Sequence, residues 1–598
     1  MKIGELNSQF KHIWLVDAEF RQPDGCLPET HCVVLQEFNS GRTVRLWHPR
    51  ACDLPDWSRA DTLFVAYAAD AELKCLMRLE VPLPHFVLDL YAEFRCRNSG
   101  LTVANGHELL GALSYFGLPG IAAAMKEENR ELAMRGGPYS VRDQQQLLEY
   151  CESDVVALAK LLPAMLPRLS LPHALIRGEY MKSVARMERV GVPIDTNRFA
   201  LLKDRWSTVQ SGLIDRVDHD YGVHENGSFS MVRFEKYLAS VGIPWPRTPT
   251  GRLSLDADTF KEMAQVFPQL QPLKELRATL GQTRLVGLTI GDDGRNRCWL
   301  APFGSKTGRN QPSTTKFIFG PAVWMRNLIV PSPGFALAYL DFSQQEFAIA
   351  AFLSGDEAMM QAYLSGDPYL SFGKQIGLIP KDATKHTHRE QRDLCKIIIL
   401  AVQYGMGEQS LALRLGVSVA RARDLLNMHH RAYPKYWRWS DAVQDFAMLN
   451  SKLHTTYGWE VHVGAESNPR SLRNFASQAN GAEILRFSCI LAHRTGIEIC
   501  CPVHDALLVQ SNDADIDEAS AACQLNMSKA SELVLPGFAL RTDAKIIRHP
   551  QGFNDPRGKR IWKEIWDLPM FANPSLTSKR FTSETELFHQ RTPVPSNI

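Results

Sequence analysis

Hydrophobic and polar positions change rhythm several times along the chain, and each change marks an element or a boundary. Between residues 12 and 49, "HIWLVDAEF", "HCVVLQEF" and "RTVRLWHP" are rich in β-branched and bulky apolar residues over strand lengths, which predicts three consecutive strands. Mixed helices and "LDLYAEF" follow, and "RDQQQLLEYCESDVVALAKLLPAML" closes this block as a helix. Pro167 and Pro172 then mark a boundary. "HALIRGEYMKSVARMERVGVPID" is amphipathic with helical period and stops at Gly191 and Pro193. Residues 240–256, rich in Pro, Gly and Thr, read as a loop. Strands are expected again from 297 to 355, ending in "FALAYLDFSQQEFAIAAFLSG", and helices from 356 to 450. A strand pair and a helix lead on to "CPVHDALLVQ" at 501–510. After residue 555 the density of Pro, Ser and Thr predicts a tail that is partly disordered or draped over the surface.

A chain of 598 residues, 45% hydrophobic and 22% charged, has room for several domains. The net charge of +2 does not advertise a nucleic-acid binder, although it permits one whose basic residues are confined to a groove. Twelve scattered cysteines without CxxC spacing predict neither a zinc knuckle nor a disulfide framework, and they suit a reducing cytoplasm. The first residues lack the long apolar stretch of a signal or a spanning helix, so no membrane association is expected.

Chemistry enters with the carboxylates that interrupt apolar runs. Asp505 sits inside "CPVHDALLVQ", where an ionised group needs an offsetting partner. Asp341 ends a similar run in "ALAYLDFSQQEF". Two carboxylates from neighbouring strands can hold a pair of Mg²⁺ ions about 3.5–4 Å apart. Taken singly, an Asp at a strand end is more often a turn former. Between them, "HREQRDLCKIIILAVQYGMG" places Arg392, Lys396, Leu400 and Tyr404 on one slowly drifting helix face. Two cations a turn apart suit a triphosphate, and the apolar and aromatic positions suit a base. The competing reading is an amphipathic helix with a basic edge.

These three elements, in order, resemble the polymerase motifs of family A, the DNA polymerase I-like enzymes. "DFSQQEF" is similar to the first palm motif, "RDLCKIIILAVQYG" to the fingers helix and "VHDA" to the third motif. "ARMERVGVPID", "KTGRNQPS", "LALRLGVSVARARDLLNMHHRAYPKYWRW" and "RSLRNFASQANGAEIL" extend the resemblance over residues 175 to 550. It implies Asp341 and Asp505 as catalytic metal ligands and Arg392 and Lys396 as the triphosphate grip, Lys396 being also a proton donor to pyrophosphate. Leu400, Tyr404 and Gln344 would border the nucleotide. Glu346 matches the steric gate, which leaves no room for a 2′-hydroxyl and argues against an RNA polymerase. Arg309, Arg470, Asn474, Gln478 and His504 would contact primer or template. Three departures stand out. Ala506 replaces the Glu of the third motif, Leu400 an aromatic ring, and Ala348 a basic residue, which suggests a divergent phage- or plasmid-like branch.

In the first block, "WLVDAEF" puts Asp17 and Glu19 on one face of a strand, and "YCESD" puts Tyr150 and Asp154 on one face of a helix. Carboxylates with a phenol suit metal-dependent phosphodiester hydrolysis. The block resembles a DEDD-type 3′–5′ exonuclease of the Tyr subtype. That implies Asp17, Glu19, Asp70 and Asp154 as metal ligands, Tyr150 as the residue that orients water, and Asp89 as a supporting or structural group.

The expected architecture is therefore α/β and α+β multidomain, an RNase H-like exonuclease domain followed by a right-hand polymerase. Its boundaries are 1–170 exonuclease, 171–295 thumb and connecting region, 296–355 palm, 356–454 fingers, 455–553 palm and 554–598 tail. No 5′-nuclease domain is expected ahead of it and no large thumb insertion. The resemblance implies two Mg²⁺ per site, replaceable by Mn²⁺. It also implies primer–template DNA, deoxynucleoside triphosphates and single-stranded 3′ ends as partners. A monomer in the cytoplasm of a bacterium or phage-infected cell is expected. The alternative is an exonuclease or DNA-binding replication factor with an impaired polymerase site.

Overall fold

The computed structural model describes residues 1–120, 123–248, 250–280, 287–320 and 322–571. These form two compact units. One comprises Met1–Phe199, residues 287–320 and Leu328–Phe553, and the other residues 200–280, 322–327 and 554–571.

The first unit opens with five strands, β1 (His12–Arg21), β2 (Glu29–Glu37), β3 (Thr43–Trp47), β4 (Thr62–Ala66) and β5 (Phe86–Asp89), in the order β3-β2-β1-β4-β5. β1, β2 and β3 run antiparallel, while β4 lies parallel to β1 and β5 parallel to β4. Helices α1 (Asp70–Arg78), α2 (Val141–Met165) and α3 (Leu171–Val190) cover the sheet. Side-chain alternation along β1 divides it between two cores. Ile13 and Leu15 join Leu147, Cys151, Val155 and Leu158 of α2. Val16 and Ala18 join Leu73 and Leu76 of α1 and Met181 and Val184 of α3. Asp17 and Glu19 share the parity of Ile13 and Leu15, so they face α2, the helix that carries Tyr150 and Asp154. A Cβ on Gly178 of α3 would lie 1.8 Å from the Val87 carbonyl oxygen of β5, so only glycine permits this approach. This contact ties α3 to the sheet, although residue 171 lies past the expected boundary.

The second sheet of this unit is antiparallel, in the order β7-β8-β6-β9, from β6 (Phe335–Phe342), β7 (Glu498–Val503), β8 (Ala506–Asn512) and β9 (Thr542–Arg548). Its strands supply Ala336, Ala338, Leu340, Ile499, Leu507 and Val509 to the larger core. Four helices position the chemistry: α4 (Gln345–Ser354), α5 (Pro368–Gln375), α6 (Arg389–Gln403) and α7 (Pro469–Arg494). The strand pair expected after residue 450 is the hairpin of Lys452–His454 and Glu460–His462. Between 297 and 334 the strands expected from sequence are absent among the described residues. Turns and a short 3-10 helix fill the segment, in keeping with its many Gly, Pro, Ser and Thr residues.

In the second unit, helices Trp206–Asp218, Met231–Ser240, Ala257–Val266 and Gln271–Leu280 surround an aromatic cluster of Phe229, Phe234, Trp245 and Phe260. Arg277 lies over Phe229 and Phe260, with its guanidinium 4.1 and 4.3 Å from the ring centres. The expected tail begins as a helix, Lys559–Trp566, which buries Ile561 and Ile565. These two residues lie a turn apart and so share one apolar face of the helix. The rest of that expected tail, 572–598, lies outside the described residues. The twelve cysteines are free thiols, and no described helix is long and apolar enough to cross a membrane.

Candidate active sites

The first site forms where β6 meets the turn between β7 and β8. Asp341 stands near the end of β6, opposite Ala506 of β8. Asp505 occupies the two-residue turn, whose His504 adopts φ +56°, and the Asp505 carbonyl accepts from Phe342 N at 3.3 Å. The partner that Asp505 requires is thus Asp341, a second anion. Burial and the neighbouring Asp505 charge push Asp341 up to about 7, with a further contribution from Asp543. Asp505 is also raised by burial, and Arg309 and His504 work against the rise. Two carboxyl groups close enough to share a proton, with oxygen donors only, fit hard divalent cations such as Mg²⁺.

Arg309 reaches this site from a tight loop. Gly308 has φ +72°, Ser305 Oγ accepts from Arg309 N at 2.9 Å, and Arg486 of α7 donates to the Gly308 carbonyl at 2.7 Å. Trp459 donates to the Lys306 carbonyl at 2.9 Å, and its ring leaves no space for a Cβ on Gly308. The Arg309 guanidinium pairs with Glu346 at 3.1 Å. Glu346 lies in the first turn of α4, and Gln344, left-handed at φ +51°, caps that helix with its side-chain oxygen buried and unpartnered.

On α6, Arg392 and Lys396 lie against Tyr369 of α5, with their charged groups 5.4 and 5.8 Å from the ring centre. Arg392 is half-buried and donates to Asp367 at 2.5 Å, whereas Lys396 is exposed. Leu400 is half-buried, and Tyr404 ends the helix exposed, within electrostatic reach of Glu346, Arg309 and Asp505. Gly405 at φ +64° packs against the Arg470 side chain at the start of α7. Asn474 and Gln478 follow on α7, both half-buried.

The second site lies on the first sheet. Ligand atoms of Asp17, Glu19 and Asp154 fall within 4.8 Å of one another. Burial, then the charge of Asp154, pushes Asp17 up to about 8, and burial pushes Asp154 up to about 6. Glu19 is driven well above its usual range by burial and by Asp17. Tyr150 is buried, bonded to Asp154, and shifted upward by burial and that neighbour. One oxygen of Asp17 is buried without a partner, an orphan that a cation would satisfy. Asp89 caps a helix and accepts from the backbone of Ala68, Ala69, Tyr91 and Ala92, a structural role.

Asp70, expected as the fourth carboxylate, does not join this cluster. It is buried 3.6 Å from Lys74, one turn along α1, and Lys74 also pairs with Glu188 of α3. Glu72, two residues on and about 200° round the helix, turns the other way. It is buried, one of its oxygens has no partner, and after burial the charge of Asp17 is the largest cause of its raised proton affinity, although Glu72, like Asp70, lies outside the three-residue group. The sequence signal for Glu72 is "DAE": two acids on opposite sides of one helix, only one of which can face β1.

An antiparallel sheet with paired carboxylates, approached by Tyr404 at the end of a helix that also carries Arg392 and Lys396, and a separate acidic cluster on a second sheet fit a polymerase-type fold with an accessory α/β sheet. The family model for DNA polymerase family A matches residues 247–546, half of the chain, and the chain belongs to that family. DNA polymerase I of Chloroflexus aurantiacus is 22% identical over 432 residues, 66% of this chain and 45% of that protein. DNA polymerase I of Aquifex aeolicus is 22% identical over 441 residues, 67% and 75% of the two. The DNA polymerase of Mycobacterium phage D29 is 23% identical over 387 residues, 61% of each. The chain therefore spans about half the length of the Chloroflexus protein. Among solved structures, the polymerase domain of Pol1 from M. smegmatis, in complex with DNA primer-template and dNTP, shares the fold with a TM-score of 0.70 at 18% identity. The match covers 91% of this chain and 97% of that one.

Proposed function

We propose that the chain is a template-directed DNA polymerase that extends a primer 3′-hydroxyl with deoxynucleotides, and that it carries a second, 3′–5′ exonuclease site for proofreading. The observation that carries the reading is the meeting of Asp341 and Asp505 at one end of an antiparallel sheet, within reach of Arg309, Glu346 and Tyr404. Primer–template DNA, deoxynucleoside triphosphates and single-stranded 3′ ends are its partners. Its setting is DNA replication in a bacterial or phage-infected cytoplasm, with the chain acting as a monomer.

Divalent cations, Mg²⁺ or in its place Mn²⁺, would supply charge neutralisation at the phosphate and activation of the attacking oxygen when held by Asp341 and Asp505. The chain's own residues do the rest. Arg392 and Lys396 bind the triphosphate, and Lys396 gives a proton to the departing pyrophosphate. Leu400 and Tyr404 pack on the base, and Glu346 excludes a 2′-hydroxyl. Arg309, Arg470, Asn474, Gln478 and His504 hold the primer–template. At the second site Asp17, Glu19 and Asp154 bind cations, the buried Glu72 adds its charge beside Asp17, and Tyr150 orients water toward the phosphate. A mispaired end frays more readily into single strand and so reaches this site preferentially.

A labelled primer on a template, with Mg²⁺ and with or without the four deoxynucleotides, tests both activities. Extension with nucleotides and shortening without them are expected. Asp505→Ala should abolish extension and spare shortening, and Asp17→Ala the reverse. Joint loss of both activities in either folded variant would refute two separate sites. Shortening without extension in the parent would favour a nuclease or replication factor with an impaired polymerase site, the reading that Ala506 keeps open.

A further inference from the structure

β6 is flanked on both sides, and its register sets two residues beside Asp341. On β8 the partner is Ala506, and on β9 it is Asp543. Cross-strand partners point to the same face of a sheet, with Cβ atoms about 4.5–5.5 Å apart. The flank where a carboxylate is missing therefore has a counterpart flank where one is present. Asp543 is exposed on β9, and one of its oxygens accepts from Ser343 Oγ at 2.6 Å. Ser343 is itself fixed by its backbone N–H, which donates to the Arg541 carbonyl at 2.9 Å. The carboxylate is thus held in place beside Asp341 with its second oxygen uncommitted, and among the described residues no lysine or arginine forms an ion pair with it.

We propose that Asp543 is a further cation-holding carboxylate of the polymerase site, which supplies from the β9 side a negative charge that Ala506 does not, and helps hold the divalent cation bound by Asp341 and Asp505. This rests on the polymerase reading above. Ala506 then leaves the site complete, because the third carboxylate has moved from one neighbour of β6 to the other.

The test measures Mn²⁺ binding to the full chain by electron paramagnetic resonance, in an Asp17→Ala background that disables the nuclease site, alongside the Mg²⁺ dependence of primer extension. Asp543→Asn should weaken Mn²⁺ binding about tenfold and raise the Mg²⁺ requirement to match. Adding Ala506→Glu to that variant should restore both. Ser343→Ala, which keeps the carboxylate, should change binding by about twofold, well below the effect of losing a cation-holding group. Unchanged Mn²⁺ binding in Asp543→Asn overturns the proposal. So does a loss that Ala506→Glu leaves uncorrected, or a Ser343→Ala defect as large as that of Asp543→Asn, since either marks a structural role. If Asp543→Asn does not fold, Asp543→Ser keeps a hydrogen-bonding partner for Ser343 and carries the same outcomes. A parent that binds Mn²⁺ but extends no primer defeats the polymerase reading, while the binding comparison still decides the place of Asp543.

Discussion

At the scale of single residues, the sequence exposed the acids that interrupt apolar runs and hid those that depend on phase. Asp341 and Asp505 stood out as acids set in apolar runs, while Asp17 and Glu19 were paired by strand alternation and Asp154 by its i, i+4 spacing from Tyr150. Asp70 and Glu72 were not separable, since only the rotation of α1 against β1 and α3 decides which one meets Asp17. Their environments now predict opposite phenotypes. Glu72→Ala should weaken shortening of single strands with little loss of stability, because it removes a buried acid whose charge acts on Asp17. Asp70→Ala should keep the nuclease yet cost on the order of 1–3 kcal/mol, because it strips Lys74 of one of two buried partners. Parallel nuclease assays and denaturant melts check both, and nuclease loss in Asp70→Ala alone would return that residue to the site. The Arg309–Glu346 pair makes a second prediction. Glu346→Ala should open space beneath the sugar and raise ribonucleotide use relative to deoxynucleotide by about tenfold or more. Single-nucleotide incorporation assays read that ratio directly.

Elements were legible where period and length agreed, as in α2, α3 and α6, and in the strand that became β6. They were lost between 297 and 334, where the chain's position depends on distant contacts. Arg486 and Trp459, far along the sequence, fix the loop that carries Arg309. The close approach of α3 to β5 was equally invisible, because Gly178 reads as a mild helix defect until its Cβ is seen to collide with Val87. Gly178→Ala should therefore push the helix off the sheet and cost about 1–3 kcal/mol or more. Because α3 also packs against β7, nuclease and extension should fall together, with a lowered melting temperature. A loss confined to one activity would place the two functions on independent supports. Gly405 works at smaller scale. Its left-handed backbone ends α6 against Arg470, so Gly405→Ala should slow nucleotide incorporation while leaving the nuclease intact.

Across the whole molecule, two carboxylate sites burden the metal-free chain with protons. Asp17 is raised to about 8, Asp341 to about 7 and Asp154 to about 6, in each case by burial first. Unfolded, these groups ionise near pH 4. Between pH 4 and 8 these three groups hold more protons in the folded chain than in the unfolded one, so their own contribution to the stability of the metal-free protein falls as pH rises through that window. Divalent cations reverse the sign of the burden, since they take the place of those protons and bind the folded sites in preference to the unfolded chain. Mg²⁺ should then raise the melting temperature more at pH 8 than at pH 6, where protons still compete. Asp17→Asn should raise the melting temperature in EDTA at pH 8 and remove part of the Mg²⁺ increment there, because the amide needs neither proton nor cation. Calorimetry at the two pH values, with EDTA and with Mg²⁺, measures all of these shifts. An increment that does not grow with pH would mean that the carboxylates repel into solvent rather than gather around cations, and the assignment of both sites would fall with it.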